Sequence, residues 1–150
     1  LCEYLWPSAQ HGTHSVQYLS CGSFNAVFSL SVTTTDGQAA EYVLRIPLIT
    51  QGYTSVAHTA AILEYLAKYT DLKVPEVITW DATEDNPLEN SYIIMSRVPG
   101  KCLQDVWEDL NHHQKLLVAK ELAHLYLQIE SIKHPIAGNM NVHKKEFHPG

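Results

Sequence analysis

Tyr92-Ile93-Ile94-Met95-Ser96-Arg97-Val98-Pro99-Gly100 divides this 150-residue chain into two unlike parts. Tyr92-Ile93-Ile94-Met95 is a short apolar run of strand-forming residues, the pattern of a central strand covered on both faces. Val98-Pro99-Gly100 ends it, because proline cannot donate to a ladder and glycine opens the backbone. Upstream, Val77, Thr79 and Trp80 suggest another strand, separated from the first by the turn Asp85-Asn86-Pro87. Residues 54–69 place Val56, Ala60, Leu63 and Ala67 at i, i+4, i+7 and i+11, one face of a helix that Thr54 or Ser55 can cap. Pro75 limits how far that helix can run.

Further upstream, Val16 and Tyr18, and then Ala26, Phe28, Leu30 and Val32, alternate with polar or small residues, the period of half-buried strands. Ser20-Cys21-Gly22-Ser23-Phe24-Asn25 is the turn between them. Thr35-Asp36-Gly37-Gln38 is a second turn, since Asp-Gly between strand formers favours a hairpin. It leads into a third strand over residues 41–46, closed by Pro47. Residues 1–14 read as an irregular lead-in, and residues 15–98 as an antiparallel sheet of five strands with one inserted helix. Beyond Gly100 the pattern turns helical. Residues 103–110 form a short amphipathic piece, and Asn111 caps a longer helix with Leu116, Ala119, Leu122, Ala123, Tyr126 and Ile129 on one stripe. Residues 99–150 are thus the exit from the sheet and part of a helical unit, an α+β arrangement.

Composition narrows the functions open to such a fold. Ten basic against sixteen acidic residues give a net charge of −6, which argues against nucleic acid as a partner. No apolar run approaches the roughly 20 residues that span a bilayer, so no membrane partner is expected. The opening residues lack a basic, then apolar, secretory leader, and the first 17 lack the arginine of a transit peptide. An intracellular, cytoplasmic location is the expectation. The first residue is leucine rather than methionine, as in a processed form or a piece of something longer. Cys2, Cys21 and Cys102 form no C-x-x-C pair and read as reduced thiols. His112-His113 and the pairs His11/His14 and His143/His148 lack the partners of a metal set and read as surface histidines. No Gly-x-Ser-x-Gly elbow occurs.

Taken in order, Gly22-Ser23-Phe24-Asn25-Ala26-Val27-Phe28, Val43-Leu44-Arg45-Ile46-Pro47, Lys73-Val74-Pro75-Glu76-Val77 and the stretch from Tyr92 to Gly100, followed by Leu103 and Trp107, resemble the N-terminal lobe of a protein-kinase-like fold. More narrowly, they resemble the aminoglycoside phosphotransferase family in its fungal branch. The resemblance runs from about Tyr18 to Gly138 and implies an ATP-binding lobe, its linker and the first helices of the C-terminal lobe. ATP would sit under the first hairpin, with its adenine against the linker, residues 95–98, which Met95 opens. The Ser96 carbonyl and the Val98 amide would hold the base. The turn formed by Gly22, Ser23, Phe24 and Asn25 would lie over the phosphates, with free amides as donors. Arg45 stands where most kinases place the strand-three lysine that grips phosphate. An arginine keeps the charge and offers a bidentate fork.

The residues themselves leave alternatives open. The Gly22 turn also reads as an ordinary hairpin loop, Arg45 as an edge-of-sheet charge, and Arg97 as a solvated side chain. The family's helix glutamate falls at Thr59. Glu64 lies about 140° further round a 3.6-residue helix and reads as a surface charge. The family's catalytic His-Gly-Asp loop, with its later asparagine and metal-binding aspartate, does not occur in these residues. Those groups orient the acceptor hydroxyl and hold Mg²⁺, so by this resemblance the 150 residues alone are not a competent kinase. Two functions follow as expectations. One is the ATP-binding part of a small-molecule kinase whose remaining C-terminal lobe covers the long helix and carries Mg²⁺ and an unknown acceptor; an antibiotic acceptor is not implied. The other is a non-catalytic kinase-like binding module, or a truncated relic.

Overall fold

A computed structural model describes residues 1–7, 14–33, 37–48 and 56–133. The elements are α1 (Cys2–Leu5), β1 (His14–Cys21), β2 (Asn25–Thr33), β3 (Ala39–Pro47), α2 (Val56–Tyr69), β4 (Val77–Asp81), β5 (Tyr92–Ser96), α3 (Leu103–Val106) and α4 (His112–Ser131). The strands form one antiparallel sheet in the order β1-β2-β3-β5-β4. The expected α+β arrangement is present: a five-stranded sheet, one helix between β3 and β4, and helices after β5. As its sequence suggested, β5 is interior, and residues 92–95 are all buried. Gly37, at φ 80°, lies in the second turn, whose Asp36 falls outside the described residues, as do the caps Thr54 and Ser55.

Strand alternation sorts the core into two clusters. On one face Leu30, Val32, Leu44, Tyr92 and Ile94 pack with Cys2, Leu5 and Trp6. On the other, Ile93, Met95 and Trp80 pack with Val56 and Ala60 of α2, with Val43 and Leu63 against them. We call these the outer and inner faces. Full burial of one such side chain contributes about 1.5–3 kcal/mol, so period-two alternation alone pins the register. Three of the four helix positions named from the sequence meet the sheet this way; Ala67 is exposed. Asp81, buried beside β5, accepts hydrogen bonds from the Thr83 amide and hydroxyl at 2.9 and 2.7 Å, which turns the chain out of β4.

Three expectations need correction. The lead-in is not wholly irregular: α1 is a single helical turn, and Cys2, Leu5 and Trp6 are core residues. The Trp6 ring stacks on Tyr42 at 5.1 Å, so the first residues seal the outer face. Secondly, β1 is mostly exposed, Val16 and Tyr18 included, because it is an edge strand with a neighbour on one side only. Thirdly, Glu64 is half-buried rather than a solvated surface charge. All three cysteines are free thiols.

The helices after β5 differ from the sheet. Asn111 begins α4 with a reciprocal capping box: the Gln114 amide donates to Asn111 Oδ1 and the Asn111 amide to Gln114 Oε1, both at 2.9 Å. The cap matches the sequence reading. Yet α4 has no buried residue, and its stripe, including Leu116, Leu122, Tyr126 and Ile129, faces solvent. No described helix is long and apolar enough to cross a membrane.

Candidate functional site

The register places the singled-out residues at one side of the sheet. Val27, Ser29 and Ser31 of β2 lie opposite Arg45, Val43 and Glu41 of β3. Val43 and Arg45 in turn lie opposite Met95 and Ile93 of β5. Because Ile93, Met95 and Val43 belong to the inner cluster, Arg45 shares the inner face with α2. Arg45 is half-buried and makes no ion pair among the described residues. On α2, Thr59 and its neighbour His58 are also half-buried.

At one end of this face lies the turn between β1 and β2. The Gly22 amide donates to the Asn25 carbonyl at 3.0 Å, and the Leu48 amide to the Phe24 carbonyl at 2.9 Å, tying the turn to the end of β3. The amides of Ser23 and Phe24 find no main-chain acceptor among the described residues. Ser23 and the Phe24 ring are exposed. Gly22 has no left-handed φ, and a Cβ placed on it meets nothing within 4 Å. Neither backbone conformation nor packing among the described residues therefore demands glycine here. Asn25 pairs with Pro47, two residues along β3 from Arg45, or about 7 Å at the strand rise.

At the other end, β5 leaves the sheet through the linker. The Arg97 amide donates to the Glu41 carbonyl at 3.3 Å. In an antiparallel ladder hydrogen-bonded pairs alternate, so this bond turns the main-chain groups of Ser96 away from β3 and toward β4. There the Ser96 amide donates to the Glu76 carbonyl at 2.8 Å, while the Glu76 amide donates to Ser96 Oγ at 2.9 Å. The serine hydroxyl thus takes the donor that its own carbonyl would otherwise accept. Among the described residues, neither the Ser96 carbonyl nor the Val98 amide has a main-chain partner. Two motifs far apart in sequence, one with Glu76 and one with Ser96, meet at this point. Met95 is buried beneath it, and Gly100, at φ 141°, ends the segment in a conformation that suits only glycine.

Arg97 differs from its sequence reading. Its Nη1 donates to Glu41 Oε2 at 2.9 Å and to Ser29 Oγ at 3.1 Å, so the side chain is engaged rather than merely solvated. Strand parity offered a signal for this: Ser29 and Glu41 are inner-face positions, as is the residue that follows β5 by one. Ser29, Glu41, Glu76 and Arg97 are the site's additions to the residues picked from sequence.

A cavity of about 360 Å³ lies instead on the outer face, against Leu1, Cys2, Phe28, Leu30 and Leu88. Its lining is mainly apolar and includes none of the residues above. Among the described residues no group of three or more His, Cys, Asp or Glu side chains is placed to hold a metal ion.

Comparison with known proteins bears on this arrangement. A family model described as the phosphotransferase enzyme family (APH) matches residues 25–146. A subtelomeric hrmA-associated cluster protein of Aspergillus fumigatus is 30% identical over 131 residues, 86% of this chain and 25% of the relative. Its counterpart in a second strain of that species is 29% identical over the same length. The mitochondrial "altered inheritance of mitochondria protein 9" of Debaryomyces hansenii is 25% identical over 127 residues, 82% of this chain and 18% of the relative. The chain spans a quarter or less of the length of these relatives.

Proposed function

The chain belongs to the phosphotransferase enzyme family (APH), and on that premise we propose that it is the ATP-binding portion of a small-molecule kinase. One observation carries the reading. One side of the sheet holds a half-buried arginine, an exposed turn whose Ser23 and Phe24 amides have no main-chain partner among the described residues, and, at the other end, a linker whose Ser96 carbonyl and Val98 amide likewise have none among them. Along β3, Arg45 and the Ser96 partner Tyr42 are three residues apart, about 10 Å. That is comparable with the reach of a nucleotide from its base edge to its 5′ phosphates. The Ser96 carbonyl accepts from the adenine amino group and the Val98 amide donates to a ring nitrogen. Val27, Val43 and Met95 supply apolar surface for the base. Arg45 and the Ser23 and Phe24 amides bind the phosphates, which suits an arginine fork and free N–H groups.

Phosphoryl transfer needs Mg²⁺ and a group that orients the acceptor hydroxyl. Among the described residues no group of three or more acidic, histidine or cysteine side chains is placed to hold Mg²⁺, and the family likeness assigns its ligands to the C-terminal lobe. What these residues do is bind and orient the donor. The acceptor is a hydroxyl-bearing small molecule met by that other lobe.

A calorimetric titration with ATP and with adenosine tests the assignment. Arg45→Ala lowers ATP affinity about ten- to hundredfold, the worth of hydrogen bonds to a charged group, and leaves adenosine affinity unchanged. Equal ATP affinity in wild type and Arg45→Ala removes Arg45 from the phosphate site. Thr59, where the family places a glutamate, favours a second reading, a non-catalytic kinase-like binding module; a wild-type chain that binds neither ligand would support it.

A further inference from the structure

We propose that Arg97 is a positioning residue of the nucleotide site, locking the linker so that the Ser96 carbonyl and the Val98 amide face the base; this rests on the ATP-binding reading above. Arg97 lies between those two groups in sequence. Its main chain is fixed to Glu41 through the 3.3 Å amide bond, and its side chain to Glu41 and Ser29 at 2.9 and 3.1 Å. One residue therefore ties the exit of β5 to both β3 and β2. Beyond it stand Pro99 and Gly100, neither of which has a side chain that can anchor the segment.

Stability does not explain this arrangement. The Arg97 and Glu41 side chains are 41% and 55% exposed, and ion pairs so open to water contribute little. Ser29 is only 3% exposed and shares the inner face with Val27, Val43 and Met95. A buried hydroxyl is costly unless it is bonded, and an apolar residue would suit a strand interior better. Arg97 supplies the partner for that hydroxyl. What the three contacts fix together is the direction of the linker backbone, hence the aim of the Ser96 carbonyl and the Val98 amide that flank Arg97.

The test compares wild type, Arg97→Ala and Arg97→Lys by titration with adenosine and with ATP, and by hydrogen exchange of the ligand-free chain. Arg97→Ala is expected to weaken adenosine and ATP by the same factor, about tenfold, because both lose the aligned pair of bonds to the base. Arg97→Lys keeps a cationic donor and recovers most of that loss. Without ligand, exchange at the amides of Ser96 and of residue 97 speeds up in Arg97→Ala, while β2 and β3 keep their protection. Unchanged affinity for both ligands in Arg97→Ala overturns the proposal. So does a loss confined to ATP, which would make Arg97 a phosphate contact. A wild-type chain that binds neither ligand overturns the nucleotide reading, and the role of Arg97 with it; wild-type binding thus separates the two failures.

Discussion

The two faces of the sheet are built from the same strands and serve different ends. The outer face is closed by the chain's own first residues: Trp6 stacks on Tyr42, and Cys2 and Leu5 join Leu30, Val32, Leu44 and Ile94 in a continuous apolar cluster. The inner face is closed over part of its area by α2, while Ser29, Glu41, Arg45 and Arg97 occupy other inner-face positions. A strand alternates its side chains, so one stretch of sequence can write stability on one side and chemistry on the other. Val43-Leu44-Arg45 does so in three residues: Leu44 is buried outward, and Arg45 is offered inward.

If that division is correct, damage to the outer face is costly and general. Trp6→Ala is expected to destabilise the chain by about 3–5 kcal/mol, as large-to-small changes at a buried aromatic do, measured as a lower urea midpoint. A loss below about 1 kcal/mol would mean that α1 does not seal the sheet. Removing Trp6 is the largest effect expected.

The next is a dependence on pH. Tyr92 sits in the outer cluster, and burial, with Asp81 and Tyr4 nearby, pushes its phenol up to about 12. The folded state thus holds a proton that the unfolded chain, with a phenol near 10, gives up. The stabilisation is fully present below pH 10 and is lost as pH rises from about 10 to about 12, amounting to about 2–3 kcal/mol. Denaturation curves at pH 9 and 11 capture about half of it. Tyr92→Phe should flatten that part of the profile, and an unaltered alkaline loss in the variant would assign it to another group.

The smallest effect belongs to α4, the element outside this division. Leu122→Gln, on its exposed stripe, is expected to change stability by less than about 0.5 kcal/mol. A loss of 2 kcal/mol or more would show that the stripe is covered in solution.

What was legible in the sequence follows the same physics. Alternation in Ala26–Val32, the apolar run of β5 and the periodicity of 54–69 each repeat often enough to announce an element. The single turn of α1 is too short for its period to repeat, so Cys2, Leu5 and Trp6 read as lead-in. Asn111 was legible because a cap is a local device whose partner, Gln114, lies three residues away. Arg97 was not, since its partners Ser29 and Glu41 lie 68 and 56 residues away in sequence and meet it only through strand register. The Gly22 turn attracts attention for its glycine, whereas its geometry rests on two main-chain bonds and shows no need of glycine among the described residues.

The central claim, that the inner face binds a nucleotide, is met most directly by thermal unfolding of the chain with and without millimolar ATP·Mg. One-site linkage predicts stabilisation of about 1.4–2.7 kcal/mol when ATP exceeds its Kd ten- to hundredfold, with a corresponding rise in Tm that Arg45→Ala reduces. An unfolding curve that does not move across that range of ATP would contradict the account.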